Sequence, residues 1–190
     1  PSLALAAPLL HEAREDIYLI CVDTAVAGLV ARGITPDLVV VLESQHHNLL
    51  DFLPPERAGG TRESTPQYAV AADLTAYPQS LRRVPSDALY LFTSRFAETK
   101  LFDRLDAAGL LPPLIPALGS VGVVAARIAT RVSTGPVYLC GLDFAYYDEK
   151  THAAGTPPMR REQLQQHRLR RYTGISVRRN AHFLGRKNPC

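Results

Sequence analysis

Gly119-Ser120 and Asp143, in the stretch from Pro116 to Thr156, are residue types that can do chemistry together. Gly119 lets the backbone turn tightly and Ser120 can cap a helix, whose free N–H groups then attract an anion. Asp143 follows Val137–Cys140, a short apolar run fit for a buried strand, and Tyr146, Tyr147, Asp148, Lys150, Thr151 and His152 come after it. A carboxylate and a histidine in one loop suit proton transfer near neutrality. Ligands of open parallel sheets bind at the carboxyl ends of the strands, so this unit suits a phosphorylated or carboxylated guest. The same pattern also fits an ordinary crossover followed by a polar surface loop.

Two further carboxylates stand at expected strand ends. Asp23-Thr24 closes the apolar run Ile17–Val22, and Glu43-Ser44-Gln45 closes Leu38–Leu42. Asp23, Glu43 and Asp143 are therefore expected to face one crevice. There each can bind a ligand's hydroxyls or a magnesium ion, or take a proton; capping and turn formation are the structural alternatives. Gly119 and Ser120 are expected to hold phosphate. Tyr146 can stack on a base or donate to phosphate, with core packing as its alternative. His152 is an acid–base candidate or an exposed loop histidine. His46-His47, being adjacent, cannot chelate one metal as histidines four apart on a helix do.

The elements that must position these groups alternate. Ile17–Val22 reads as a strand, AVAGLVARG as a helix stopped by Gly33, and Leu38–Leu42 as a second strand: a parallel βαβ unit. Tyr68–Ala72 and Ala88–Phe92 are further strands, and Phe96–Ala108 reads as a helix stopped by Gly109. Val121–Val132 is the next helix, and Val137–Cys140 the last strand. The loose stretch 46–66 holds Pro54-Pro55 and Gly59-Gly60. The class is α/β, with a mostly parallel sheet and helices on both faces.

At 190 residues, with 46% hydrophobic and 21% charged residues, the chain suits one sizeable globular domain. No apolar run approaches the roughly 20 residues of a membrane helix. PSLALAAPLL lacks the basic flank of a signal peptide, and the absence of an initiator Met suggests a piece of something longer. Cys21, Cys140 and Cys190 make neither a disulfide framework nor a metal motif; Cys21 and Cys140 are expected to be buried small hydrophobes in a reducing, cytoplasmic setting. The net charge of +3 arises in the tail, where Arg160, Arg161, Arg168, Arg170, Arg171, Arg178, Arg179, Arg186 and Lys187 are opposed only by Glu162. Glu162–Arg171 suggests a basic helix. Its uses are a solvated arm or neutralisation of a phosphate-bearing substrate; sparse aromatics speak against nucleic acid.

Four local patterns together resemble the family named for archaeal 6-hydroxymethylpterin diphosphokinase (the MptE-like domain), whose core bacterial motility-associated-factor flagellin glycosyltransferases share. Pro1-Ser2-Leu3 is similar to the end of a Gly-Pro-Ser-Leu loop. Asp23-Thr24-Ala25 follows a strand and leads to Gly33-Ile34-Thr35-Pro36-Asp37. Gly119-Ser120-Val121 stands at a helix start. Gly141-Leu142-Asp143-Phe144-Ala145-Tyr146 precedes Lys150-Thr151-His152-Ala153. Glu43 stands where the family usually has Asp, so a carboxylate is kept one methylene longer.

The resemblance implies a Rossmann-like, three-layer domain over residues 1–156, with 157–190 as a basic extension. It also implies transfer to a hydroxyl from a nucleotide-activated donor. In one branch a nonulosonic-acid sugar passes from cytidine monophosphate to flagellin hydroxyls. In the other, ATP with magnesium gives diphosphate to a pterin. Asp143, His152 and Asp23 are then the expected catalytic residues. Ser2, Leu3, Thr24, Glu43, Gly119, Ser120, Gly141 and Tyr146 are the expected binding residues, and no cofactor is implied beyond magnesium on Asp23, Glu43 and Asp143. The expected partners are the small-molecule donor and a flagellin-like protein acceptor, with no membrane or nucleic acid. A non-catalytic nucleotide-binding or assembly module is the remaining reading.

Overall fold

A computed structural model describes residues 2–46, 49, 67–95, 99–143, 155–164 and 166–168. The chain is an α/β, Rossmann-like domain. Its core is one sheet of four parallel strands in the order β1 (Ile20–Val22), β2 (Leu38–Val41), β3 (Ala69–Asp73) and β4 (Leu89–Phe92). Cys21 pairs with Val39, Val41 with Ala72, and Asp73 with Phe92, so the carboxyl ends of all four strands lie along one edge.

The strands form where continuous apolar runs meet turn residues, as expected for a sheet buried on both faces. β2 is buried throughout, and its alternate residues fall into two separate clusters. Val39 and Val41 pack with Val26 and Leu29 of the helix α2 (Asp23–Val30). Leu38 and Val40 pack with Val124, Ala125 and Ile128 of the helix α5 (Val121–Val132). Gly33, at φ +74°, takes the left-handed turn that ends the α2 segment, and Gly109, at φ +67°, does so after α4 (Lys100–Ala107). A short helix, α3 (Pro78–Leu81), and one 3-10 turn, Ser86–Ala88, fill the connection between β3 and β4.

Several expectations are corrected. Ser2 and Leu3 are not in a loop but in the first turn of α1 (Ser2–Glu12), a Leu/Ala-rich segment of high helix propensity with Pro8 inside it. Asp23 is the first residue of α2 rather than a free strand tip. Val137–Cys140 is not paired into the sheet, and Cys140 is exposed rather than buried. The helix expected from Glu162 begins earlier, as α6 (Pro157–Leu164), with Met159 buried and α6 packed on α2. Most of the stretch 46–66, with His47, lies outside the described residues, as do residues 96–98 at the start of the expected helix and the basic tail from 169 on.

One side chain locks the amino edge. Arg14, just past α1, donates from Nε to the Thr35 carbonyl at 2.9 Å, from Nη1 to the Ile17 carbonyl at 3.2 Å and from Nη2 to Asp37 Oδ1 at 2.7 Å. Asp37 Oδ2 in turn accepts from the Leu19 N–H at 2.6 Å. Asp37 thereby holds the start of β2 against the start of β1. Asp37→Ala leaves a half-buried guanidinium and an amide without their acceptor. We expect a loss of about 2 kcal/mol in urea unfolding, read as a lower midpoint at unchanged slope.

Candidate functional site

Helix starts gather at the carboxyl edge because each crossover returns the chain from that edge to the opposite one. α2 begins directly at the end of β1, with Val22 as its cap residue and Asp23 in its first turn. α5 begins soon after Ile115, whose N–H donates to the Thr93 carbonyl just beyond β4. Gly119, at φ +75°, turns the chain into α5, and Ser120 Oγ accepts from the Gly122 N–H at 3.3 Å as its cap.

Asp143 draws the start of α1 into the same region. Its Oδ2 accepts from Ser2 Oγ at 3.0 Å and from the Ser2 N–H at 3.4 Å. The carboxylate thus sits on the amino end of α1, where unsatisfied N–H groups favour negative charge. The Ser2 hydroxyl is the main reason the Asp143 carboxyl lies below its usual range, slight burial opposing it and the Ser2 amide adding to it. Leu142, one residue earlier, lies against Gly122 so closely that a Cβ there would overlap Leu142 Cδ2. Glycine in the first turn of α5 is what admits this contact. Leu3 and Thr156 meet over Gly28 of α2, where a Cβ would stand 3.2 Å from Leu3 Cδ2 and 3.6 Å from Thr156 Cγ2.

These contacts frame one end of a cavity of about 1820 Å³. Ser2, Leu3, Thr24, Gly141 and Asp143 are among the residues that line it. Asp23, Glu43, Gly119 and Ser120 are not among its lining residues. Asp23 is only 2% exposed, and its Oδ1 accepts from the Thr24 N–H at 2.7 Å. Glu43 is exposed; its Oε1 accepts from the Gln45 N–H at 3.2 Å, and its carbonyl from the Tyr77 N–H at 3.0 Å. The His46 ring stands edge-on to Tyr77 at 5.9 Å, so Glu43 belongs to a group at the tips of β2 and β3. Tyr146 and His152 lie outside the described residues.

The magnesium set is a correction. Among the described residues no group of three or more His, Cys, Asp or Glu is placed to hold a metal ion, so Asp23, Glu43 and Asp143 do not form one. The physical reason is local: each carboxylate is turned toward a nearby N–H or hydroxyl donor instead of toward the other two.

One buried carboxylate was not singled out by the sequence reading. Asp73, 1% exposed at the end of β3, accepts from the Thr75 N–H at 2.8 Å, from the Thr75 hydroxyl, and from the Ser94 N–H at 2.6 Å. It ties the ends of β3 and β4 together, a structural use. The Asp-x-Thr spacing of an Asx turn is the signal that marks it. Cys21, buried in β1, has its thiol pushed up by burial and by the nearby Asp23, so it is not a nucleophile at neutral pH. Burial likewise pushes the Tyr68 hydroxyl up to about 12.

The family described as 6-hydroxymethylpterin diphosphokinase MptE-like matches residues 1–149. The chain belongs to the MptE-like family. A protein of Treponema pallidum (strain Nichols), named only as uncharacterized, is 32% identical over 163 residues, which is 85% of this chain and 27% of that protein. The chain thus spans about a quarter of that relative's length. No solved structure matches. No helix among the described residues of this MptE-like domain is long and apolar enough to cross a membrane.

The Ser2–Asp143 link gives a titration to measure. Removing the hydroxyl with Ser2→Ala should raise the Asp143 pKa toward the ordinary carboxylate value, read by carbon NMR of the side-chain carboxyl. Because the folded pKa is depressed, the link contributes to stability above the unfolded pKa, near 4. That contribution is lost as pH falls through the folded value. Ser2→Ala should therefore lower stability at pH 7, leave it little changed below the folded pKa, and flatten stability against pH in the acid range between.

Proposed function

We propose that the chain is the donor-binding domain of a transferase that uses a nucleotide-activated donor, of the glycosyltransferase kind that passes a nonulosonic-acid sugar to protein hydroxyls. The observation that carries this reading is the meeting of Ser2, Thr24, Gly141 and Asp143 at one cavity, beside the amino ends of α1, α2 and α5. Helix starts offer N–H groups to phosphate, and hydroxyls add donors that suit the same oxygens. Family membership supports a substrate bearing phosphate, and the carboxyl-edge position is where parallel sheets take ligands.

In this reading Ser2, Thr24 and the backbone around Gly141 hold the donor. Asp143, kept ionised by Ser2, orients a hydroxyl or accepts its proton. Asp23 fixes the first turn of α2, and Ser120 that of α5. Leu3 shapes the wall between α1 and α2. Glu43, at the tips of β2 and β3, stands beyond the cavity lining and would meet the donor's far end. His152 and Tyr146 complete the proposal as acid–base and base-stacking groups. The acceptor, a flagellin-like protein hydroxyl, is part of the same proposal.

The test is a thermal-shift panel of cytidine monophosphate, ATP with and without magnesium, and a pterin. A ligand at one hundred times its Kd stabilises the folded state by about 2.7 kcal/mol, so cytidine monophosphate should raise Tm by several degrees. A magnesium-dependent rise with ATP alone would overturn the sugar-nucleotide reading, and silence across the panel would favour an assembly module. Asp143→Asn should lower transfer by about 100-fold or more with Tm nearly unchanged; undiminished transfer would make Asp143 structural.

A further inference from the structure

The outer edge of β1 carries no strand among the described residues. In a parallel pair, the N–H and C=O of one residue point to one side and those of the next residue to the other. The Leu19 carbonyl accepts from the Leu38 N–H at 3.2 Å, so Leu19 and Cys21 address β2. Ile20 and Val22 therefore turn their N–H groups to the open edge. Ile20, Cys21 and Val22 line the cavity, and so do residues 136–142. An occupant must offer backbone partners at every second residue while burying apolar side chains. Hydrocarbon cannot supply those partners; a β-strand does.

Val137–Cys140 has the composition of such a strand, with a β-branched residue, an aromatic and two other apolar groups. Tyr138 and Leu139 are now 86% and 61% exposed beside a largely apolar cavity. Pro136 stands just before the run, where a missing N–H interrupts no ladder. Direction and length also fit. The segment leaves the end of α5 and comes back to its first turn at Gly122, where Leu142 lies. It therefore runs toward the carboxyl edge, as β1 does. The 12 residues of α5 rise about 18 Å, and the six from Val137 to Leu142, extended, cover about 20 Å.

We propose that Val137–Cys140 docks as a fifth parallel strand on the open edge of β1, filling the stretch of the cavity along that strand and leaving open its end at the carboxyl edge, where Ser2, Thr24, Gly141 and Asp143 stand. This docking rests on the sheet geometry and not on the proposed activity. It would place a change of connection direction between β1 and the new strand, the position at which open α/β sheets bind ligands.

Amide hydrogen exchange followed by NMR on the whole chain, without ligand, tests it. The Ile20 and Val22 amides should be protected to within about tenfold of Cys21, with alternate amides of Val137–Cys140 slowed to match. Of the two variants Tyr138→Pro and Leu139→Pro, one removes an amide facing β1 and should strip Ile20 and Val22 of protection by at least about tenfold, Cys21 staying protected. Free exchange of Ile20 and Val22 in the unaltered chain, with Cys21 protected, would overturn the proposal. So would protection that both proline variants leave intact. If neither variant folds, Overhauser contacts in the unaltered chain between β1 and Val137–Cys140 support the docking, and their absence overturns it.

Discussion

Parallel pairing is the constraint from which the rest of this molecule follows. Four strands that all run the same way cannot be joined by hairpins; each connection must carry the chain back to the amino edge. Connections that begin at one edge put their first residues there, which is why Asp23, Glu43, Asp73 and Thr93 all follow or end strands on the same side. The gathering of polar groups at that edge is a by-product of the topology, refined by the particular residues at each turn.

Small residues and local carboxylates do the refining. Gly28 and Gly122 leave room for Leu3, Thr156 and Leu142 to lie on helix backbones. Asp23 and Asp73 are almost wholly buried, yet each accepts from neighbouring N–H groups, so neither is a stranded charge. Asp143 differs from these two. It is exposed, its partner is 141 positions away in sequence, and it joins the first turn of α1 to the segment after α5. Of the three carboxylates expected to work together, it is the one that lines the cavity.

Much of the architecture was legible in the sequence because it rests on local signals. Continuous apolar runs marked β1 to β4 to within a few residues. Gly33 and Gly109 ended helices where they were expected to, both at positive φ. Ser120 capped α5 as its type and place suggested. The misses have a common cause. Leu-Ala-rich α1 was hidden behind a loop motif, although its propensity was plain. Val137–Cys140 has a strand's composition, but a strand exists only when an edge receives it.

What the sequence determined by itself was the class of fold, the family and the identity of the polar groups at the strand ends, since periodicity, breakers and short motifs are properties of neighbours along the chain. Only the tertiary structure decided which of those groups meet. Ser2 reached Asp143 and Leu142 reached Gly122, while Asp23 and Glu43 turned to their own backbones. Convergence depends on where helices pack and how far a side chain reaches. No spacing in a single chain encodes those distances.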